Sequence, residues 1–350
     1  MSKYIITLTP TGSFFFGGDM AFSVNEKESE FTSYIIHSSK FPQQTSLLGM
    51  LRFLILRNNG EAFDSETQEI CNKDKAKELI GDRSFMITDK AGTFGVIDSI
   101  GPCFLQAERD NQWIDLKINP KDKSFGIDFS NCTKAVANGH VVDIPDMNYN
   151  PKEYYPTSYQ VGEETIKEDD IFKEDISTGI NRDIYTGKVN DNSLFKRISY
   201  RMKGYRFAFY ANISINDLEK YNNNPLVTVG GDNSQFIVGI KKCDDNEAEV
   251  GKGKRVFLLS PAYLSEEDLK DARYAITDTI PFRCMMTETD TVKSYNKRNH
   301  LYGYSKKYSL FTSGSVFFFK TDIEAESFTE KLKSHADFYQ IGYNHFQVTD

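Results

Sequence analysis

From Ser38 to Gly60 the chain reads SSKFPQQTSLLGMLRFLILRNNG, and this run constrains the fold more than any other. Pro42 holds Phe41 extended, so a helix can begin only after it. Thr45 is the expected N-cap, because its hydroxyl can accept from a free backbone N–H of the first turn. Leu47, Leu48, Leu51, Leu54 and Ile55 recur at helical spacing and give one apolar face. Asn58-Asn59-Gly60 supplies the stop. Arg52 and Arg57 fall outside the apolar arc, and Gly49 leaves bare backbone near the start. No acidic residue occurs between Ser38 and Gly60, although the whole chain carries a net charge of −8. A capped helix start, a glycine and an arginine together suit a phosphate. A core helix whose Gly49 permits close packing on a sheet accounts for the same residues, and on this stretch alone it is the simpler reading.

With 350 residues, two domains or one large one are expected. The acidic balance confines any nucleic-acid site to a local patch and leaves acidic surface for solvent or protein partners. Cys71, Cys103, Cys132, Cys243 and Cys284 are scattered and form no CxxC pair. A reduced, cytoplasmic chain is therefore expected, not a disulfide framework or a zinc site. The first residues lack a signal-peptide pattern, and no apolar run approaches the roughly 20 residues that span a bilayer, so no membrane association is expected.

Along the chain, Tyr4 to Thr9 reads as a strand. Ser13-Phe14-Phe15-Phe16-Gly17-Gly18-Asp19 is either a strand end with a turn or a flexible loop whose rings stack on bases. Phe31 to His37 is extended. Asp64 to Ile80 is polar and helical in its second half. Arg83 to Thr88, Phe94 to Leu105 and Trp113 to Ile118 read as strands, with a turn at Gly101-Pro102. Lys134 to Pro156 has no period and reads as loop. Glu163 to Asp175 is acidic, a solvated linker or a partner-facing surface. Tyr205 to Ile215 alternates as a strand. Gly230-Gly231-Asp232-Asn233 resembles the metal-binding turn of nucleotide cyclases, but Asn233 replaces the second carboxylate, which leaves a hairpin turn. Thr321 and Glu324 form a capping box for a helix to about His335. Strand, helix, the turn Ile341-Gly342-Tyr343-Asn344 and a last strand match the back half of a ferredoxin-like fold.

Two stretches mix bases with rings. Arg182, Lys188, Lys196, Arg197, Arg201, Lys203 and Arg206 face only Asp183 and Asp191, with Tyr185, Phe195, Tyr200 and Tyr205 interleaved. This suits a hairpin that tracks phosphates and stacks on bases; an ordinary exposed strand pair fits equally well. Asn190-Asp191-Asn192 is its expected turn. In the second stretch Lys293, Lys297, Arg298, Lys306 and Lys307 alternate with Tyr295, Tyr302, Tyr304 and Tyr308, with no acid from Lys293 to Lys320.

In order, LTPTGSFFFGGD, FPQQTSLLGMLR, IGPCFL, STGINRDIYTGKVNDNSLF, VTVGGDN, LLSPAYL, LFTSGSVFFF and IGYNHF span nearly the whole chain. Together they resemble the third-subunit family of the Cmr-type (type III-B) CRISPR effector complex, in the RAMP superfamily. Asn233 and a final turn poor in glycine depart from the pattern. The resemblance implies an α+β fold of two ferredoxin-like (RRM-like) domains, 1–175 and 176–350, with insertions and a projecting β-hairpin around Ile180 to Phe195. It implies a non-catalytic, cofactor-free subunit of a cytoplasmic ribonucleoprotein for antiviral defence. Its partners would be the 5′ repeat-derived tag of CRISPR RNA (crRNA), the large polymerase-cyclase subunit and a backbone RAMP subunit.

The RNA-binding residues expected from the motifs and the resemblance together begin with Phe16, Gly17 and Gly18. Lys40, Gln43, Gln44, Thr45, Ser46, Gly49 and Arg52 follow at the helix, then Ile180, Asn181, Arg182, Tyr185, Lys188 and Lys196 in the hairpin. Arg298, Lys306, Ser313, Gly314, Ser315, Gly342, Tyr343 and Asn344 complete the set. A second reading is a metal-independent CRISPR-repeat endoribonuclease, which needs a general base and acid. Only His37 and His300 border the basic stretches. A third is the equivalent subunit of a Csm-type (III-A) complex. No P-loop, HD pair, zinc spacing or Ser-His-Asp arrangement is present in the sequence.

Overall fold

The computed structural model describes the chain except residues 19, 26–29, 138–139, 151, 181–184, 189–193, 224, 245–250 and 288–302. Alternation along the strand Ser2–Pro10 puts Tyr4, Ile6 and Leu8 on one face, and all three are buried. This strand lies inside a nine-stranded sheet among the described residues. Tyr205–Ile213 and Gln235–Cys243 pair with it on either side, both antiparallel. Beyond Tyr205–Ile213 come Phe104–Arg109, Gln112–Ile118, Ser158–Val161 and Glu164–Lys167; beyond Gln235–Cys243 comes Leu226–Thr228.

Helix α1 is Gln44–Arg57, and Leu47, Leu48, Leu51, Leu54 and Ile55 enter the same core as Tyr4 and Ile6. The helix is capped differently from the sequence expectation. Gln43 holds the N-cap position without a side-chain bond, and the Thr45 hydroxyl, already inside the first turn, reaches Gln43 Oε1 at 3.4 Å. Gly49 is exposed, and an added Cβ there would meet open space, so close packing on a sheet is not its role. Helix α2, Lys73–Ile80, follows, capped by the Asn72 side chain.

A second, four-stranded sheet runs Tyr274–Ile276, Val316–Phe318, Arg255–Leu258, Phe346–Thr349, all antiparallel. It has its own core, in which Phe317 and Phe319 pack on Phe328. Phe328 belongs to α4, Asp322–Ser334, if the acidic turn Glu168–Ile171 is counted as α3; α5 is Ala336–Gln340. The capping box of Thr321 and Glu324 forms as expected. Two bodies with their own sheets are therefore present, and the first spans the division expected at 175/176. The first sheet keeps recruiting strands until Cys243, and the second begins at Arg255.

A third sheet joins Lys173–Gly179, Leu194–Arg201, Glu30–His37 and Met20–Asn25, with Leu194–Arg201 parallel to Glu30–His37. The arms of the expected hairpin are thus anchored on an early insertion. Asp128–Ala137 and His140–Asp146 form a ribbon where a loop was expected, and no strand forms over Arg83–Thr88. The result is a strand-rich α+β chain with little helix.

Candidate nucleic-acid interface

The three phenylalanines before Gly17 divide by alternation. Phe14 is buried, edge-on to Phe207 at 5.6 Å, and its N–H donates to the Tyr200 carbonyl at 2.9 Å. Phe16 is half-buried and lies parallel to Phe236, with centroids 5.8 Å apart. Phe15 points the other way, beneath the Arg197 guanidinium at 5.9 Å, which also pairs with Asp232. Gly230, at φ +88°, brings the Gly-Gly-Asp-Asn turn against Phe15, whose carbonyl lies 2.5 Å from where a Cβ would stand. Asp232 and Asn233 both have positive φ, so this is a tight turn. Among the described residues no cluster of three His, Cys, Asp or Glu side chains is placed to hold a metal.

Gly17 and Gly18 run beside the entry to α1. The Ser39 N–H donates to the Gly17 carbonyl at 2.6 Å, and the Phe16 N–H to Ser38 Oγ at 2.9 Å. A Cβ on Gly18 would lie 2.0 Å from the His37 carbonyl oxygen, so only glycine fits. Lys40 follows, half-buried, with Nζ 2.8 Å from both Glu168 and Asp169. Burial alone would lower its pKa, but the two carboxylates outweigh burial and hold the ammonium above the usual lysine range. The acidic run is therefore folded structure that neutralises Lys40, not a free linker.

At the start of α1, the Gln44 N–H donates to the Tyr343 hydroxyl at 3.2 Å, and the Ser46 N–H to the Gln43 carbonyl at 2.9 Å. Of the four first-turn amides, this leaves those of Gln43 and Thr45 to meet an anion. Arg52 lies two turns farther, about 12 Å along the axis. Its Nε donates to the Ile80 carbonyl at the end of α2, at 2.9 Å. Burial draws its pKa down to about 10 against the opposing pull of Asp82. The arginine thus ties two helices together.

The final glycine turn is also not a surface. Gly342, Tyr343 and Asn344 are all buried. Asn344 donates to the carbonyls of Tyr263 at 3.1 Å and Leu332 at 3.0 Å and accepts from the Tyr263 N–H at 2.8 Å. Gly314 and Ser315 are buried and Ser313 is partly covered; the Gly314 carbonyl accepts from Lys121 N–H at 2.9 Å, at the seam between the bodies. Lys306 is exposed, next to Ser305, whose hydroxyl accepts from the Cys284 N–H at 3.1 Å. In the hairpin, Ile180, Lys188 and Tyr185 are exposed, Tyr185 at 96%, and Lys196 is partly covered on its arm. Asn181, Arg182, Arg298, His300 and the turn at Asn190-Asp191-Asn192 lie outside the described residues.

The structure thus gathers Phe16 to Gly18, Lys40, Gln43 to Ser46 and the hairpin arm, while Arg52 turns to the Ile80 carbonyl and Gly314 and Ser315 are buried. It also exposes a basic cleft between the bodies, near Arg273-Tyr274 and Lys254-Arg255. Adjacent base and ring at Arg273-Tyr274 was the available signal in the sequence.

The family model described as CRISPR-associated protein (Cas_Cmr3) matches residues 153–349, more than half of the chain. No curated protein sequence matches. A cryo-EM structure of the type III-B Cmr-beta bound to cognate target RNA and AMPPnP (state 1) contains a chain similar at TM-score 0.48 and 12% identity, covering 99% of this chain and 96% of that one. A second, bound to cognate target RNA, is similar at TM-score 0.48 and 13% identity, covering 98% and 96%. On the family match, this chain belongs to the Cas_Cmr3 family of CRISPR-associated proteins.

Proposed function

We propose that this chain is a non-catalytic subunit of a type III-B CRISPR RNA-guided complex that binds and caps the 5′ repeat-derived tag of crRNA. Family membership supports the type III-B assignment over the Csm-type one. The carrying observation is the zipper between Phe16-Gly17 and Ser38-Ser39, which sets a glycine-rich backbone beside the start of α1. Glycines there let an RNA backbone approach closely, and the amides of Gln43 and Thr45 offer donors to a phosphate. The hairpin arm carrying Lys196 joins the same sheet as His37, and its exposed Tyr185 offers a ring to an unstacked base.

Each body reads as a ferredoxin-like unit. Ser2–Pro10, Phe104–Arg109, Tyr205–Ile213 and Gln235–Cys243, taken as strands 1 to 4, lie in the order 4-1-3-2 with α1 after the first. Arg255–Leu258, Tyr274–Ile276, Val316–Phe318 and Phe346–Thr349 repeat that order, with α4 before the last. Docking of the large polymerase-cyclase subunit and of a backbone RAMP subunit belongs to the same proposal. The ribbon Asp128–Asp146 offers one protein-facing surface, because Val136 and Val141 pair across it at 74% and 67% exposure.

Two of the described histidines are engaged within the fold. His335 is bonded to Asp268, and His345 is stacked on Tyr339. His37 is exposed at a strand end. Incubation of the protein with repeat RNA in EDTA tests this part: retained, intact RNA is expected, and discrete cleavage products would reinstate the endoribonuclease.

A further inference from the structure

The sheet of the second body has two unlike faces. Phe317 and Phe319 lie on the face under α4, 4.9 and 5.1 Å from Phe328. The opposite face carries Arg255, Phe318 and Tyr274 in one row, since Arg255 pairs with Phe318 and Phe318 with Tyr274. Directly opposed residues of an antiparallel ladder share a face. Phe318 and Tyr274 remain partly exposed. Facing them stand Asn119, Pro120 and the short helical turn Lys121–Ser124 of the first body, and a cleft of about 880 Å³ lies between.

Arg255 ties the two walls. It donates to Asp122 Oδ1 at 2.6 Å and to Thr349 Oγ1 at 3.1 Å. The remaining charged lining is Lys123, Lys254, Arg273 and Lys320 against Asp350. Lys123 Nζ meets the amide oxygens of Asn119 at 3.1 Å and Gln160 at 3.3 Å, which leave its charge uncompensated. Lys254 and Lys320 are exposed at adjacent strand ends, where the Phe319 N–H donates to the Lys254 carbonyl at 2.8 Å. The Arg273 guanidinium lies 5.0 Å over the Tyr274 ring, and the backbone N–H of Arg273 donates to the Phe318 carbonyl at 2.8 Å.

We propose that this cleft is a second RNA surface, which takes a short single-stranded segment with a base on Tyr274 and Phe318 and phosphates on Lys123, Lys254, Arg273 and Lys320. An acidic peptide would use the cations and leave the rings idle. A single strand uses both, because every base has a face to stack and every linkage a charge. Rings on the open face of a four-stranded sheet are also how RRM-type modules hold bases. The cleft shares no residue with the cluster at the start of α1, so it extends the RNA path beyond the proposed tag site.

The full chain can be tested with a fluorescein-labelled oligouridylate of about 20 nucleotides, longer than one site. Anisotropy over a salt series should show the slope of log K against log salt falling by about 1.4 for Lys254→Ala/Lys320→Ala, at about 0.7 per phosphate. Tyr274→Leu, with an unchanged melting curve, should weaken binding roughly tenfold. In the unmodified protein, a 4-thiouridine oligomer should crosslink to peptides containing Tyr274 or Phe318, a readout that needs no variant to fold. Unchanged slopes with crosslinks only elsewhere would overturn the proposal. Displacement by polyglutamate with no effect of Tyr274→Leu would also overturn it, giving the cleft to an acidic protein segment. Tag binding is measured with a different RNA and different residues, so the two readings fail separately.

Discussion

The hydroxyl of Tyr343 accepts the backbone N–H of Gln44 at 3.2 Å, joining the last turn of the chain to the first turn of α1 across 299 positions. Beside it, Gly342 at φ +88° packs so closely that an added Cβ would lie 2.0 Å from Gln44 Nε2 and 2.4 Å from the Gly101 carbonyl oxygen. The seam between the two bodies therefore passes directly behind the proposed tag site.

Tyr343→Phe should strand the buried Gln44 N–H and lower stability by ~1–3 kcal/mol. Gly342→Ala should do more, because backbone strain of ~1–3 kcal/mol adds to the clash. Urea denaturation of the two variants checks this. Equal midpoints for both variants and the parent would show the seam to be slack.

Arg52→Ala should lose ~1–3 kcal/mol of stability, since it leaves the Ile80 carbonyl without its charged donor. The salt dependence of RNA binding should not change. A slope reduced by about one unit would instead place Arg52 on a phosphate.

The helix and its partner were legible in the sequence only by halves. The leucine spacing announced α1, and the capping box announced α4, because both signals are local. That Arg52 serves α2 and Lys40 serves Glu168 depends on contacts 28 and 128 positions away, which no periodicity encodes. The reach of the first sheet was hidden for the same reason: Tyr205–Ile213 reads as a strand, but nothing in it names Ser2–Pro10 as its partner. Phe14 and Phe16 resemble stacking rings in sequence; only the fold shows that Phe207 and Phe236 have claimed them. Conversely, the row Arg255, Phe318, Tyr274 is assembled from three strands and is invisible in any one of them.

His345 sets an acid limit. Burial of its ring lowers the pKa from 6.5 to about 4, partly opposed by its bond to the Tyr339 carbonyl. Between those values the unfolded chain takes up a proton that the native chain excludes, so stability falls as pH drops through this window. The full loss is about 3 kcal/mol, reached near pH 4. His345→Phe, which keeps a ring against Tyr339, should flatten the difference in urea midpoint between pH 7 and pH 5. An undiminished difference would assign the acid sensitivity to other groups.

Replacing Ile180 to Phe195 by a short Gly-Ser link should leave both main sheets folded, because neither draws a strand from that stretch. RNA should loosen where the tag meets the guide. Identical nuclease footprints with and without the stretch would reduce it to an ordinary strand pair.

The most direct measurement is photocrosslinking of crRNA carrying 4-thiouridine at single positions, within the assembled complex. Crosslinks from the 5′ tag to peptides containing Phe16 to Gly18, Gln43 to Ser46 or Tyr185 are expected. Crosslinks confined to the guide's 3′ end would contradict the proposed tag site.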